Sequence, residues 1–354
     1  MKSNIQMPLS SILAKQPIEA SAPCRVDSGG TWDIKAMSLP LEAERPTTVN
    51  VALNLRTHVA LSPYKEGWVK ISSDGFRKTE ECYRDRLFFD SIFGLFFAAI
   101  SHFGFHGLKV NIRSESPVKS ALGGSSTALV ALLQALNKAS ALVGGRRLSK
   151  KDLLHLGYHL EDGIAGGNCG LQDQAAAVYG GVNQWLWQYG DRAGAFKRVP
   201  LLDRKGQKAL SDCILVAYSG TSHVSSRINR NWITQFLSGK TRQGWIRVNK
   251  IIHELAAAVK DQNWTRAAGL VQEEMAIRKK ITPEALVPVT LRLIREAERQ
   301  GCGARFAGAG AGGSLWAIGD KKDIQRLRER WAYSLSTVKG ARLLDCQVDP
   351  VGIR

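Results

Sequence analysis

Polar and apolar residues alternate along "VNVALNLRTHVALS", "GWVKISSDG" and "LKVNIRSESP". A period of two predicts half-buried strands, the last stopped by Pro117. The pattern changes in "SALGGSSTALVALLQAL" (120–136). Small loop-forming residues there run straight into alanine and leucine, which predicts a helix to about Leu142. "SKKDLLHLGYHLEDGI" is amphipathic at helical spacing, with Ser149 placed as N-cap. "GGNCGLQDQAAAVYGG" predicts a short glycine-bracketed helix. "GVNQWLWQY" and "CILVAYSG" read as strands, and 245–300 as mainly helical. "GARFAGAGAGGSLWAIGD" reads as a glycine-rich turn entering a strand. The chain closes with the helix "KKDIQRLRERWAY" and the strand "ARLLDCQVD".

The most apolar stretch, "LFFDSIFGLFFAAISHFGF", predicts a buried helix over 86–105. Asp90 and His102 interrupt it, and it falls short of the roughly 20 apolar residues of a membrane span. Residues 1–20 lack an apolar core of signal-peptide type and read as a loose leader. Mixed strands and helices, then helices, then strand–helix–strand predict an α+β fold with a boundary near 190–210.

At 354 residues, the chain has room for two domains. Its 44% hydrophobic and 23% charged residues are those of a globular protein. The 49 basic against 31 acidic residues leave +18. That surplus points to an anionic partner, and phosphorylated small molecules fit as well as polymers do. The basic residues form no block or tail, although Arg227, Arg230, Lys240, Arg242, Arg247 and Lys250 crowd one region. Dedicated nucleic-acid binding is therefore not expected. Six cysteines without CxxC spacing indicate neither a disulfide framework nor zinc; reduced thiols of a cytoplasmic protein are expected.

The Gly/Ser loop ahead of the helix suits phosphate, because a helix N-terminus presents unpaired N–H groups and partial positive charge. It carries neither GK[ST] nor GxGxxG, and a plain helix cap explains it equally well on its own. Two more segments bear on the choice. Asp173 lies in "CGLQDQAAAVYGG", with Glu161 twelve residues upstream. Two separated carboxylates can divide proton acceptance from magnesium binding. "FAGAGAGGSLWAI" carries no bulk and can pack against another loop or a phosphate.

Together these segments resemble the GHMP kinase superfamily. Its second motif, Pro-x3-Gly-Leu-Gly-Ser-Ser-Ala, is matched by "PVKSALGGSST", its first by "APCRVDSGGTWD" and its third by "FAGAGAGGS". "GLQDQAAAVYGG" and "YSGTSHVSSRI" are similar to kinases acting at the anomeric hydroxyl, the D-glycero-D-manno-heptose 7-phosphate kinases and L-fucokinases. The resemblance implies a ribosomal protein S5 domain 2-like N-terminal ATP-binding domain over 21–200. It implies a ferredoxin-like α/β domain over 205–354.

It also implies roles. Asp173 and Arg25 form the catalytic pair, as base and as its orienting cation. Pro117, Ala121, Leu122, Gly123, Gly124, Ser125, Ser126 and Thr127 hold the ATP phosphates. Ser125, with Ser126 the alternative, and Glu161 bind Mg2+. Asp33, Ser222, Gly308, Gly310 and Gly312 meet the substrate, and Gly313 completes the third loop. Ala121 and Gly124 depart from the second motif, and the first motif is one residue short before its glycine pair. Trp32 stands where sugar kinases vary.

The expected reaction is phosphoryl transfer from ATP to a sugar hydroxyl, the anomeric hydroxyl of a heptose 7-phosphate first. An unphosphorylated sugar, as in L-fucokinase, is the alternative. A non-catalytic nucleic-acid or regulatory binding protein on this fold is a further one. A homodimer is compatible with the resemblance, and a membrane partner is not expected.

Overall fold

The computed structural model describes residues 9–76, 78–192, 194–222 and 225–354. Two sheets carry it. The first has seven strands, β1 (Ile18–Ser28), β2 (Thr47–Pro63), β3 (Trp68–Ser73), β4 (Lys78–Tyr83), β5 (Leu108–Ser114), β6 (Val182–Trp187) and β7 (Phe196–Pro200). Their order is β4-β3-β5-β2-β6-β7, and β1 pairs with β2. The alternating run found in the sequence is β2. β1 pairs along it antiparallel, with a register shift between Pro23 and Cys24, immediately before Arg25. A local irregularity of this kind re-aims the side chains that follow it.

The second sheet consists of β8 (Ile214–Tyr218), β9 (Gly303–Phe306), β10 (Ser314–Ile318) and β11 (Arg342–Leu344), ordered β11-β8-β10-β9. Every pairing in it is antiparallel. Helices between β8 and β9, a seven-residue β9–β10 loop and a helix before β11 give the ferredoxin-like connection. The expected α+β class holds.

The helices are α1 (Leu9–Lys15), α2 (Lys35–Ser38), α3 (Gly94–Phe103), α4 (Gly124–Leu142), α5 (Lys150–Ile164), α6 (Gln172–Tyr179), α7 (Arg204–Asp212), α8 (Ser225–Leu237), α9 (Arg242–Lys260), α10 (Trp264–Ile281), α11 (Pro288–Arg299) and α12 (Lys321–Ser336). α4 is the buried centre of the first half; Leu129, Ala131, Leu132, Leu133 and Leu136 are fully buried. Ser149 caps α5 through a reciprocal pair with Asp152, as its position predicted.

Three expectations are corrected. The leader is not loose throughout: α1 buries Leu9 and Leu13, and β1 begins at Ile18. The helix expected over 86–105 spans only Gly94–Phe103. Ser91 turns the chain before it, bonding Phe88 O and Phe93 N, and Phe88, Phe89 and Ile92 are exposed. The last residues do not stay with the second sheet. Arg354 and Ser21 exchange backbone hydrogen bonds, Asp349 N–H donates to Ala52 O, and buried Asp349 pairs with Arg56 of β2. Among the described residues, no helix is long and apolar enough to cross a membrane. All six cysteines are unpaired.

Candidate active site

α4 begins at an unusual N-terminus. Its N-cap, Gly123, is left-handed at φ 77°, and no side chain caps the turn. Thr127 N–H is the donor that returns to Gly123 O, at 2.9 Å. The preceding amides of Gly124, Ser125 and Ser126 lie in the turn whose donors have no intrahelical acceptor. This turn faces a cavity of about 450 Å³ lined by Arg25, Asp33, Gly123, Ser126, Glu161 and Asp173. The small residues ahead of the helix leave its first backbone amides uncovered by side chains at the cavity wall.

Long-range contacts bring the three glycine-bearing segments together. Ser314 N–H donates to Ser120 O at 2.8 Å, and Gly308 N–H donates to Asp27 Oδ1 at 2.8 Å. Arg25 Nη1 reaches Ala121 O at 2.8 Å. A Cβ on Gly313 would come within 2.8 Å of Ala121 Cβ, so the absence of side chains lets these loops touch.

Asp173 enters from the first turn of α6. Arg25 Nε and Nη2 approach its Oδ1 at 2.7 and 2.6 Å, leaving Oδ2 for another partner. A Cβ on Gly123 would lie 3.3 Å from the Asp173 carboxyl, which places this carboxylate against the phosphate-type loop. Burial pulls the Arg25 pKa down, but Asp173 and Asp27 outweigh it and hold the guanidinium charged above its ordinary range.

Glu161, near the end of α5, accepts from Gln174 Nε2 at 2.6 Å. Burial raises its pKa to about 7, against the lowering effect of Ser126 and with Asp173 adding to the rise. The hydroxyl bonded to Glu161 belongs to Ser126; Ser125 is exposed at the cavity wall. Among the described residues, no group of three or more His, Cys, Asp or Glu could hold a metal. One carboxylate with neighbouring hydroxyls instead suits Mg2+, which keeps waters and shares substrate phosphates.

Asp33 is 3% exposed. Its Oδ1 accepts Thr31 N–H at 3.0 Å and its Oδ2 accepts Gln172 N–H at 3.1 Å. Burial raises its pKa to about 6, opposed by the Gln172 amide and reinforced by Asp173. Gly170 has no room for a Cβ, which would fall 1.8 Å from Asp33 Oδ2. Thr31 takes φ 93°, an outlier for a β-branched residue, at the cavity wall.

Several expected site residues lie elsewhere. Leu122 is fully buried beneath the loop, and Thr127 turns its hydroxyl back onto Gly123 O at 2.8 Å. Neither lines the cavity, nor do Gly310, Gly312 or exposed Ser222. Gly310 packs against Ala285, and Gly312 against Thr221 and Ser222. In the stretch 219–226, positions 223 and 224 lie outside the described residues. Pro117, Ala121, Gly124 and Gly308 do line the cavity.

Other wall residues were not anticipated. Phe76, Ile92, Phe96, Ile112 and Val118 form an apolar wall beside Pro117. Phe76, Ile92 and Val118 remain 37–44% exposed, the one sequence-level hint being bulky apolar residues in turns. Gln172 lines the cavity with its Oε1 buried and without a partner among the described residues.

Comparison with known proteins agrees with this architecture. Residues 91–181 match the GHMP kinases N terminal domain, and residues 255–336 match the GHMP kinases C terminal family. The chain is 22% identical over 337 residues to a mevalonate kinase of Thermococcus onnurineus, covering 86% of this chain and 91% of that protein. It superposes on Lactococcus lactis galactokinase complexed with galactose with a TM-score of 0.73, at 17% identity and 98% of both chains. It also superposes on a D-glycero-D-manno-heptose 1-phosphate kinase from Bacteroides thetaiotaomicron, with a TM-score of 0.72 at 17% identity, covering 96% and 98%. At such identities the solved structures share the fold.

Proposed function

The chain belongs to the GHMP kinase superfamily, and we propose that it transfers the γ-phosphoryl group of ATP to a sugar hydroxyl, with the anomeric hydroxyl of a heptose 7-phosphate as first choice. The observation that carries this reading is the position of Asp173, fixed by Arg25 on one oxygen and set against the open amides of the α4 turn. A hydroxyl bound at Oδ2 has a proton acceptor next to the site for phosphate.

The cavity divides accordingly. The apolar wall of Phe76, Ile92 and Val118 suits the ATP base, and the 121–126 turn suits its phosphates. Glu161 with Ser126 or Ser125 would hold Mg2+, which when bound neutralises phosphate charge. The chain's own residues do the remaining work. Arg25 orients the Asp173 carboxylate, and Asp173 accepts or steers the hydroxyl proton. The amides of the turn offset negative charge gathering on the transferred group. The wall formed by Asp33, Gln172 and Gly308 positions the acceptor.

Mevalonate is a second reading, favoured by the name of the sequence relative from Thermococcus. Asp33, a hydrogen-bond acceptor on the cavity wall, suits the hydroxyls of a sugar and of mevalonate alike. Phosphorus NMR of ATP reactions with heptose 7-phosphate, other sugar phosphates, free sugars and mevalonate separates the readings. A new anomeric phosphate supports the first. Mevalonate phosphate alone replaces it with the second. A product from free fucose alone keeps the sugar kinase and changes the acceptor.

A further inference from the structure

The buried carboxylate Asp27 is absorbed by none of the roles above. It lies two residues beyond Arg25 on β1, a spacing that puts both side chains on one face of the strand. It is 1% exposed. Its Oδ1 accepts Gly308 N–H at 2.8 Å and lies 3.4 Å from Arg25 Nη1. Its Oδ2 lies 3.3 Å from Arg305 Nη1. Its backbone oxygen accepts from Arg305 Nη1 at 2.5 Å and Trp316 Nε1 at 3.0 Å. A Cβ on Gly30 would fall 2.3 Å from Oδ2, so the neighbouring glycine makes room for this carboxylate.

The charges form an alternating row from the cavity inward: Asp173, Arg25, Asp27, Arg305, Glu274. Arg305 lies 3.5 Å from Glu274 Oε1, and both side chains are fully buried. Glu274 in turn accepts from Ser28 Oγ on β1. A row of this kind is costly to desolvate and costlier to interrupt, since removing one member leaves a buried charge uncompensated. One feature separates it from a plain structural ion pair. A single oxygen of Asp27 meets both the cation that holds Asp173 and a backbone amide of the glycine loop on the cavity wall.

We propose that Asp27 is a positioning residue for the phosphoryl transfer: it locks Arg25 and the 308–313 loop in one arrangement and acts on the reaction through Arg25 and Asp173. The proposal rests on the kinase reading above. Each nitrogen of the Arg25 guanidinium is then engaged, Nε and Nη2 with Asp173 and Nη1 with Ala121 O and Asp27. Without the Asp27 charge the guanidinium loses its inner anchor, and Asp173 loses its fixed position relative to the α4 turn.

The test uses the full chain with Asp27→Asn, which keeps an acceptor oxygen and removes the charge. Folding is followed by melting temperature, turnover by radiolabel transfer from ATP, and loop order by hydrogen exchange of 120–123 and 307–313. Turnover falls at least tenfold, the KM for ATP stays within threefold, and exchange rises in both loops. In an Asp173→Asn background the same change alters turnover less than twofold, because its effect passes through Asp173. An undiminished loss in that background overturns the proposal, since it marks a general structural defect. Unchanged turnover with unchanged exchange overturns it too. Should the wild-type chain phosphorylate no acceptor, the kinase reading falls, and exchange alone decides the role of Asp27: a rise in both loops supports the anchoring, no rise refutes it. Should Asp27→Asn not fold, Arg305→Lys releases the same anchor from the other side and is read by the same measurements.

Discussion

Arg25 directs two donors, Nε and Nη2, at a single oxygen of Asp173, at 2.7 and 2.6 Å. The second oxygen is left toward the cavity and the α4 turn. Asp173→Asn keeps the shape and removes the proton acceptor. Turnover should fall by about 10²–10⁴ while ATP affinity changes little. Steady-state kinetics with calorimetric ATP binding checks it, and a variant of full kcat would remove Asp173 from its role.

Ala121 stands where the resembling motif has glycine, and its backbone is left-handed at φ 62°. Alanine tolerates that region at a cost of roughly 1 kcal/mol that glycine avoids. Ala121→Gly should therefore raise the melting temperature by about 1–2 °C. The opposite change is harmful at Gly123, where φ is 77° and a Cβ would press to 3.3 Å from the Asp173 carboxyl. Gly123→Ala should lower kcat at least about tenfold, the cost of a misplaced catalytic group. Thermal melts and turnover of the two variants, taken side by side, test the pair.

Asp33 binds its proton more tightly in the folded chain than an ordinary carboxyl does, its pKa being raised to about 6. Its contribution to stability is then full below about pH 4 and is lost as pH rises through 6. Asp33→Asn removes that dependence. The melting temperature of the variant should gain on the wild type between pH 4 and 6.5, and a constant difference across that interval would contradict the assignment. The ionised form is also the better acceptor for hydroxyls, so the acceptor KM should fall as pH rises through about 6.

The Glu161 carboxylate is bonded to the Ser126 hydroxyl in the first turn of α4. Glu161→Gln preserves an acceptor for Gln174 and removes the negative charge. The Mg2+ concentration giving half-maximal turnover should rise more than about tenfold, as loss of a hard oxygen anion requires. Titration of activity with Mg2+ at fixed ATP measures it. An unchanged half-point would move the metal role away from Glu161.

Much of this site was legible because it is written in local chemistry. Glycines and serines ahead of "ALVALLQAL" announced a helix start with open amides, and that is where the cavity lies. Asp173 stood out as a carboxylate in a small-residue segment with Glu161 twelve positions before it, the family resemblance supplied Arg25 and Asp33, and all four line the cavity. Which of Ser125 and Ser126 faces Glu161 was not legible, since adjacent residues on a helix turn point different ways and only packing against α5 puts the Ser126 hydroxyl on that carboxylate. Thr127 was misread because a threonine near a helix start can bond its own backbone, as it does to Gly123 O. The apolar wall was missed because Phe76, Ile92 and Val118 come from three separate turns with no shared spacing.

By itself the sequence determined the α+β class, most elements and the positions where only small residues are tolerated. Each follows from side-chain period, capping or backbone φ within a few residues. Only the tertiary structure decided that Ser120 meets Ser314, that Asp27 meets Gly308 and Arg305, and that the chain end returns to Ser21. These contacts join residues more than 190 positions apart. Their partners are selected by burial of charge and satisfaction of backbone donors across the whole fold, which no local pattern encodes.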